Sequence, residues 1–155
     1  MKRKFSLNYL FATFFYVGFI PFAPGSWGTL AGLLFWLFLP VTSIYIKLYL
    51  IIATYLTGIL VTGRIERKEN LEDPGFIVID EVVGIWIAML FIPAHLSRDV
   101  MQLAIAFFGF RFFDIIKIPP IRQAEKFEAG LGIMTDDLIA GLFTGIVIFL
   151  VNFLR

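Results

Sequence analysis

The sequence predicts an all-α integral membrane protein: a compact bundle of about five transmembrane helices, with an N-terminal interfacial or re-entrant helix and a short amphipathic surface helix. Residues 1–155 are read as a single membrane-embedded domain. Three observations carry this. The chain is 59% hydrophobic and only 16% charged, with a mean hydropathy of +0.88, outside the soluble range. Its 19 Phe are spread along the sequence rather than grouped in one core. Its basic residues fall mostly on one side of the predicted crossings. Without any Cys, disulfides, thiolate metal sites and a cysteine nucleophile are excluded. A net charge of +1, with no basic run interleaved with aromatics, gives no indication of nucleic acid. Oligomeric state is not legible.

Lys2, Arg3 and Lys4 precede an apolar run from Phe5 to Ile20 that superficially resembles a signal peptide. Pro21, Phe22 and Pro24 stand where small cleavage-site residues belong. Residues 5–20 are therefore expected to form the interfacial or re-entrant helix, a plain first transmembrane helix being the alternative. In residues 18–29 two prolines and three glycines forbid a continuous helix, and Ser26 or Thr29 can N-cap the helix running to about Leu39. A Gly-containing turn that opens a helix suits a phosphate oxygen. It equally suits simple packing through Gly28-x-x-x-Gly32. Residues 43–63 are 21 mostly apolar positions, the clearest spanning helix, with Lys47 able to snorkel. Arg64 to Asp73 reads as a solvated connector closed by Pro74-Gly75.

The chain then returns through residues 76–93, where Asp80 and Glu81 sit side by side in an otherwise apolar stretch. His95 follows in a short connector, and residues 100–116 cross again. Arg111, Asp114 and Lys117 are three apart, so neighbouring pairs share a helix face. Pro119-Pro120 stops this helix. Ile121, Ala124 and Phe127 opposite Arg122, Glu125 and Lys126 give the surface helix over 121–129. Gly130 and Gly132 are expected to end it. Asp136 and Asp137 then stand at the mouth of the last helix, 138–154, in which Gly141 and Gly145 offer a packing face.

With crossings at about 28–40, 43–63, 78–93, 100–116 and 137–154, one side carries Lys2, Arg3, Lys4, Arg64, Arg67, Lys68, Arg111, Lys117, Arg122 and Lys126. The other carries Lys47, Arg98 and Arg155. That bias places the acidic residues and the Gly-rich turn at the cytoplasmic face.

A carboxylate at bilayer depth costs about 2.5–3.5 kcal/mol, so Asp80 and Glu81 need a cation or a wet cavity. Asp114, Asp136 and Asp137 converge on the same side. Five oxygen ligands without Cys or His favour a hard cation, Mg²⁺ before Zn²⁺. Each has a plainer alternative: Asp136 and Asp137 on a helix dipole, Asp114 in an ion pair with Arg111 or Lys117, and Asp80 and Glu81 paired with bases from another helix. Arg111 and Lys117 beside such a cluster suit a phosphate, which suggests phosphoryl chemistry on a lipid headgroup.

At these residues the chain resembles the phosphatidylglycerophosphatase A family. The matching stretches are Gly18-Phe-Ile-Pro-Phe-Ala-Pro-Gly-Ser-Trp-Gly-Thr29, Ile79-Asp-Glu-Val-Val-Gly84, Phe110-Arg-Phe-Phe-Asp-Ile-Ile-Lys117 with Pro119 shortly after, and Gly130-Leu-Gly-Ile-Met-Thr-Asp-Asp-Leu-Ile-Ala-Gly141. They run in family order over nearly the whole chain. Minor departures are Lys117-Ile-Pro119 for a Lys-Pro pair and Ala129-Gly130 for a glycine pair.

The resemblance implies a Mg²⁺-dependent phosphatase, multi-pass in the bacterial cytoplasmic (inner) membrane with its active site facing the cytoplasm. It would convert the phospholipid phosphatidylglycerophosphate to phosphatidylglycerol and phosphate. Asp80, Glu81, Asp114, Asp136 and Asp137 would form the metal site, with Asp80, Asp114, Asp137, Arg111 and Lys117 catalytic. Arg111 and Lys117, helped by Gly25, Ser26, Gly28 and Thr29, would bind the substrate phosphate. Attack by metal-activated water is the expected mechanism, a covalent aspartyl phosphate the alternative. His95, the single His, falls on the far side. Competing readings are a cation transporter or channel using the carboxylates, or another Mg²⁺-dependent headgroup enzyme such as a CDP-alcohol phosphatidyltransferase, whose spaced acidic signature is absent.

Overall fold

The computed structural model describes residues 6–39, 43–71 and 73–154, and among them every regular element is helical. Phe5, the basic residues Lys2, Arg3 and Lys4, and Arg155 lie outside the described residues. The elements are α1 (Leu7–Ala12), α2 (Pro24–Phe38), α3 (Ile44–Glu69), α4 (Ile79–Leu90), α5 (Val100–Ile116), α6 (Ile121–Ala124) and α7 (Gly130–Phe153).

The hub is α4. Ten of its 12 residues are buried, and α2, α3, α5 and α7 all pack on it. A helix apolar all round belongs inside a bundle. At about 1.5 Å per residue α4 is only about 18 Å long, well short of a hydrocarbon core of about 30 Å. Two helices, α3 with 26 residues and α7 with 24, are long and apolar enough to cross a membrane. Phe38, Tyr45, Leu56, Leu60 and Phe149 are exposed on the outer faces of the bundle. So broad an apolar surface marks contact with something other than water.

Several boundaries differ from the sequence expectation. α2 begins at Pro24, not at a Ser26 or Thr29 cap, because proline at the first helical position gives up an N–H that has no helical acceptor anyway. α3 runs on through Arg64–Glu69, which reads as a connector by charge alone; good helix formers continue it to Asn70, in the left-handed conformation at the cap. The surface helix over 121–129 shortens to the single turn of α6: Ile121 and Ala124 are buried as expected, whereas Phe127 is exposed. α7 starts at Gly130, eight residues early. Gly130 and Gly132 do not break it, because both sit where a Cβ would strike neighbouring backbone, Ile59–Gly63 and Glu125–Phe127 respectively. In the 5–20 run, α1 is one and a half turns long. It is followed by Phe14, Phe15 and Tyr16 with φ of 44°, 58° and 69°, and a 3₁₀ turn over Val17–Phe19.

Candidate active site

Asp80 and Asp137 each lie one helical turn before a glycine, Gly84 and Gly141. There α4 and α7 cross backbone to backbone. A Cβ on Gly141 would sit 2.9 Å from the Gly84 carbonyl carbon, and one on Gly84 would sit 2.7 Å from the Asp137 carbonyl oxygen. This approach, open only to glycine, brings the next turn of each helix into range. Asp80, Glu81 and Asp137 can each offer an oxygen within 4.8 Å of the others. Asp80 and Asp137 are 7% and 3% exposed, so these acids are held nearly dry.

Arg111 comes to the cluster from α5. Its Nη1 lies 2.5 Å from Asp114 Oδ2, one turn on along the same helix, and 3.6 Å from Glu81 Oε1. The first turn of α2 lies directly over this contact. A Cβ on Gly25 would run into Glu81 Oε1 and come within 3.0 Å of Arg111 Nη1. Gly28 and Thr29 do other work: Gly28 packs on Val78, and the buried Thr29 hydroxyl donates to the Gly25 carbonyl at 2.8 Å. Ser26 is half-buried in the same turn.

Lys117 forms a second lobe. It caps α5 in the left-handed conformation (φ 47°) rather than continuing the helix, so it turns away from Asp114. Its ammonium donates to Asp136 Oδ2 at 2.9 Å and Glu125 Oε1 at 3.0 Å. Burial pushes the ammonium pKa down, but the bonds and charges of Asp136 and Glu125 outweigh it and hold the group above the usual lysine range. Asp136 Oδ1 also accepts the Asp137 backbone N–H at 2.9 Å. Asp136 and Asp137 lie beyond the first turn of α7, where a helix dipole has faded. A polar cavity of about 440 Å³ opens beside Asp136, lined by Glu66, Asp73, Glu125 and Lys126 among others.

Thus the five acids divide: Asp80, Glu81 and Asp137 face one another, Asp114 faces Arg111, and Asp136 faces Lys117. His95 is at the opposite end of α4, in a 3₁₀ turn over Ala94–Leu96. Glu125 and Gly84 are parts of the site that sequence reasoning misses. Gly84 had a signal, since both Asp80–Gly84 and Asp137–Gly141 have the spacing of one helical turn. Glu125 had none beyond its charge.

The unmet bonding capacity is specific. Asp80 Oδ1 and Glu81 Oε2 are buried without a hydrogen-bond donor; Arg111 Nε and Nη1 are buried without a hydrogen-bond acceptor, the contact of Nη1 with Asp114 being an ion pair. Buried groups of this kind normally find partners. Oxygen acceptors in a dry carboxylate triad fit a hard cation, and guanidinium donors beside them fit an anion.

The phosphatidylglycerophosphatase A family model matches residues 10–152. Proteins named phosphatidylglycerophosphatase A are similar in Haemophilus influenzae (38% identity, covering 99% of this chain and 94% of the relative) and in Escherichia coli (28%, covering 93% and 83%). A Bacteroides thetaiotaomicron protein provisionally named a phosphatidylinositol-3-phosphatase is 37% identical over 96% of this chain and 95% of its own. No solved structure matches significantly.

Proposed function

The chain belongs to the phosphatidylglycerophosphatase A family, and from that premise we propose that this phosphatase removes the terminal phosphate of phosphatidylglycerophosphate at a Mg²⁺ site, leaving phosphatidylglycerol and inorganic phosphate. One observation carries the reading: buried acceptors lacking donors, on Asp80 and Glu81, adjoin buried donors lacking acceptors, on Arg111. A cation and an anion side by side complete both sets. A phosphoryl group on a divalent ion is such a pair.

Asp80, Glu81 and Asp137 would hold the ion. When bound, Mg²⁺ polarises a phosphoryl oxygen and lowers the pKa of coordinated water. Arg111 would take two phosphoryl oxygens through its planar fork, with Asp114 fixing the fork's orientation. Gly25 leaves the approach to that fork open. Lys117, anchored by Asp136, adds positive charge at the neighbouring lobe. In the hydrolysis the bond between the terminal phosphorus and the glycerol oxygen breaks, water oxygen bonds to phosphorus, and the glycerol oxygen takes up a proton.

The protein is read as multi-pass in the bacterial cytoplasmic membrane with this site at the cytoplasmic face. The lengths of α3 and α7 support that, as do the exposed apolar flanks. So does the charge bias among the described residues: Arg64, Arg67, Lys68, Arg111, Lys117, Arg122 and Lys126 at the site end against Lys47 and Arg98 at the other. Family membership displaces the transporter reading. A second substrate, phosphatidylinositol 3-phosphate, is favoured by the name of the Bacteroides relative; both substrates present a phosphomonoester on a phospholipid headgroup. Phosphate release from each lipid by the reconstituted protein, with and without EDTA, is the test. Turnover of phosphatidylglycerophosphate that EDTA abolishes and Mg²⁺ restores is expected. Preference for the inositol lipid would overturn the substrate, and activity indifferent to EDTA would overturn the metal.

A further inference from the structure

α2 and α3 both pack on α4 but scarcely on each other, which leaves a wedge between them. α1 and the residues after it close one side, and the wedge is an apolar groove of about 500 Å³ with no charged side chain among the described residues that line it. The α3 wall is Leu50, Thr54, Thr57 and Val61, one face of a helix along about 16 Å. On α4 the floor runs from Ile79 to Trp86. Ile79 directly precedes Asp80 and Glu81, so this end of the groove and the acid–Arg111 site share the first turn of α4 on neighbouring faces.

The inner end is fixed. Trp86 Nε1 donates to the Gly32 carbonyl at 2.8 Å, Phe35 stacks on the indole at 5.5 Å, and Phe14 meets it edge-on at 6.4 Å. Phe14 belongs to the three-residue left-handed run, a conformation that costs non-glycine residues of order 1–3 kcal/mol each and persists only where its surroundings enforce it. The Val78 N–H, donating to the Ala12 carbonyl at 2.9 Å, ties that segment to the start of α4.

We propose that this groove seats one acyl chain of the lipid whose headgroup phosphate meets Arg111; the inference rests on the phosphatase reading and deepens it. The occupant follows from continuity at both ends. The groove opens between helices whose outer faces, at Phe38, Ile52 and Leu56, are exposed and apolar. Its other end lies at the turn of α4 that carries Asp80 and Glu81. A molecule with a long hydrocarbon tail and a phosphate suits both, whereas a peptide would leave its backbone polar groups without partners there.

Thr57 is exposed and shares the groove lining with no carboxylate among the described residues, so Thr57→Trp is placed to fill the groove and not the site. The full chain, reconstituted, is assayed on dioleoyl and on dihexanoyl phosphatidylglycerophosphate. T57W should lower kcat/KM about tenfold on the long-chain lipid while staying within about twofold on the short-chain one. A fall on both alike, or on neither, would overturn the groove. A second measurement does not depend on turnover: phosphatidylglycerol with a photoreactive tail should label Leu10–Phe15 and the Thr54–Val61 face, and T57W should abolish that labelling. Label confined to Ile52, Leu56 and Leu60 and indifferent to T57W would refute the seat even in an active enzyme. Inner-face label in a protein that releases no phosphate would instead sink the phosphatase reading and leave the seat standing.

Discussion

The two ends of the bundle treat buried polar groups in opposite ways. At the end away from the carboxylates, Gln102 and Asn152 exchange reciprocal amide hydrogen bonds of 3.0 Å, and Asn152 gives its other N–H to the Ile148 carbonyl at 2.8 Å. Asp99, the carboxylate there, caps α5 by accepting the Gln102 backbone N–H at 3.0 Å. At the site end, Asp80, Glu81 and Arg111 hold buried atoms with no hydrogen-bond partner. Arg111 pairs with Glu81 and Asp114 but leaves the Asp80–Glu81–Asp137 crowding unmatched, and such crowding destabilises a fold. The first arrangement completes itself and joins α5 to α7; the second leaves bonding capacity that the proposed cation and phosphate would fill. Polar burial alone therefore does not mark a functional site, but polar burial left open does.

The sharpest break in this contrast is Asp80→Asn. It should lower phosphate release by about 10³-fold, the several kcal/mol that a metal-centred charge arrangement supplies. Without divalent cation, its thermal stability should match or exceed that of the parent, since one of three crowded carboxylates is gone. Mg²⁺ should raise the unfolding temperature of the parent and not of the variant. A variant that keeps its activity, or that unfolds far more easily without metal, would make Asp80 structural like Gln102.

A paired substitution compares the ends directly. Gly141→Ala and Gly145→Ala each force a methyl into contact, the first against Gly84 backbone and the second against the Phe91 ring. Both should cost about 1–3 kcal/mol by overpacking. Only the first lies one turn from Asp137, so only Gly141→Ala should also weaken Mg²⁺ dependence and cut kcat by about tenfold or more. Equal kinetics in the two variants would show that the helix crossing does not gauge the carboxylate spacing. Gln102→Leu is the converse case. Leaving Asn152 without its partner should cost about 1–3 kcal/mol in thermal unfolding and leave activity well below the transition unchanged.

Much of this was legible in the chain. Asp80 and Glu81 announce themselves because an acidic pair inside an apolar run has no cheap solvent, and a chain read as alternating in direction brings them to the same end as Asp114 and Asp137. How the acids divide was not legible. Whether Asp114 faces Arg111 or the triad depends on the rotation of α5 against α4, and Lys117 left Asp114 only because its backbone turns left-handed. The glycines misled where they were read as helix breakers. Gly130 and Gly132 read as stops locally, yet burial against neighbouring backbone overrides propensity and places both inside α7. The groove along α3 was invisible too, because Leu50, Thr54, Thr57 and Val61 look like any other stretch of a long apolar helix.

The smallest effect sharpens the boundary of the site. Lys117 bridges the buried Asp136 and the far more exposed Glu125, whose side chains are 7% and 45% exposed. Its raised pKa means that the folded state holds the proton more tightly than the unfolded chain. The resulting stability is fully present below the ordinary lysine range and fades only as pH climbs through the raised value. Glu125→Gln should therefore shift unfolding by no more than about 0.5 kcal/mol, and Lys117 itself should contribute no titration step between about pH 6 and 9. Asp136 keeps the ammonium in place, so activity should hold as well. Thermal unfolding and phosphate release followed across that range check both points. A large loss of activity in Glu125→Gln would mean that the bridge to the α6 side, and not the carboxylate triad alone, sets where the phosphate is held.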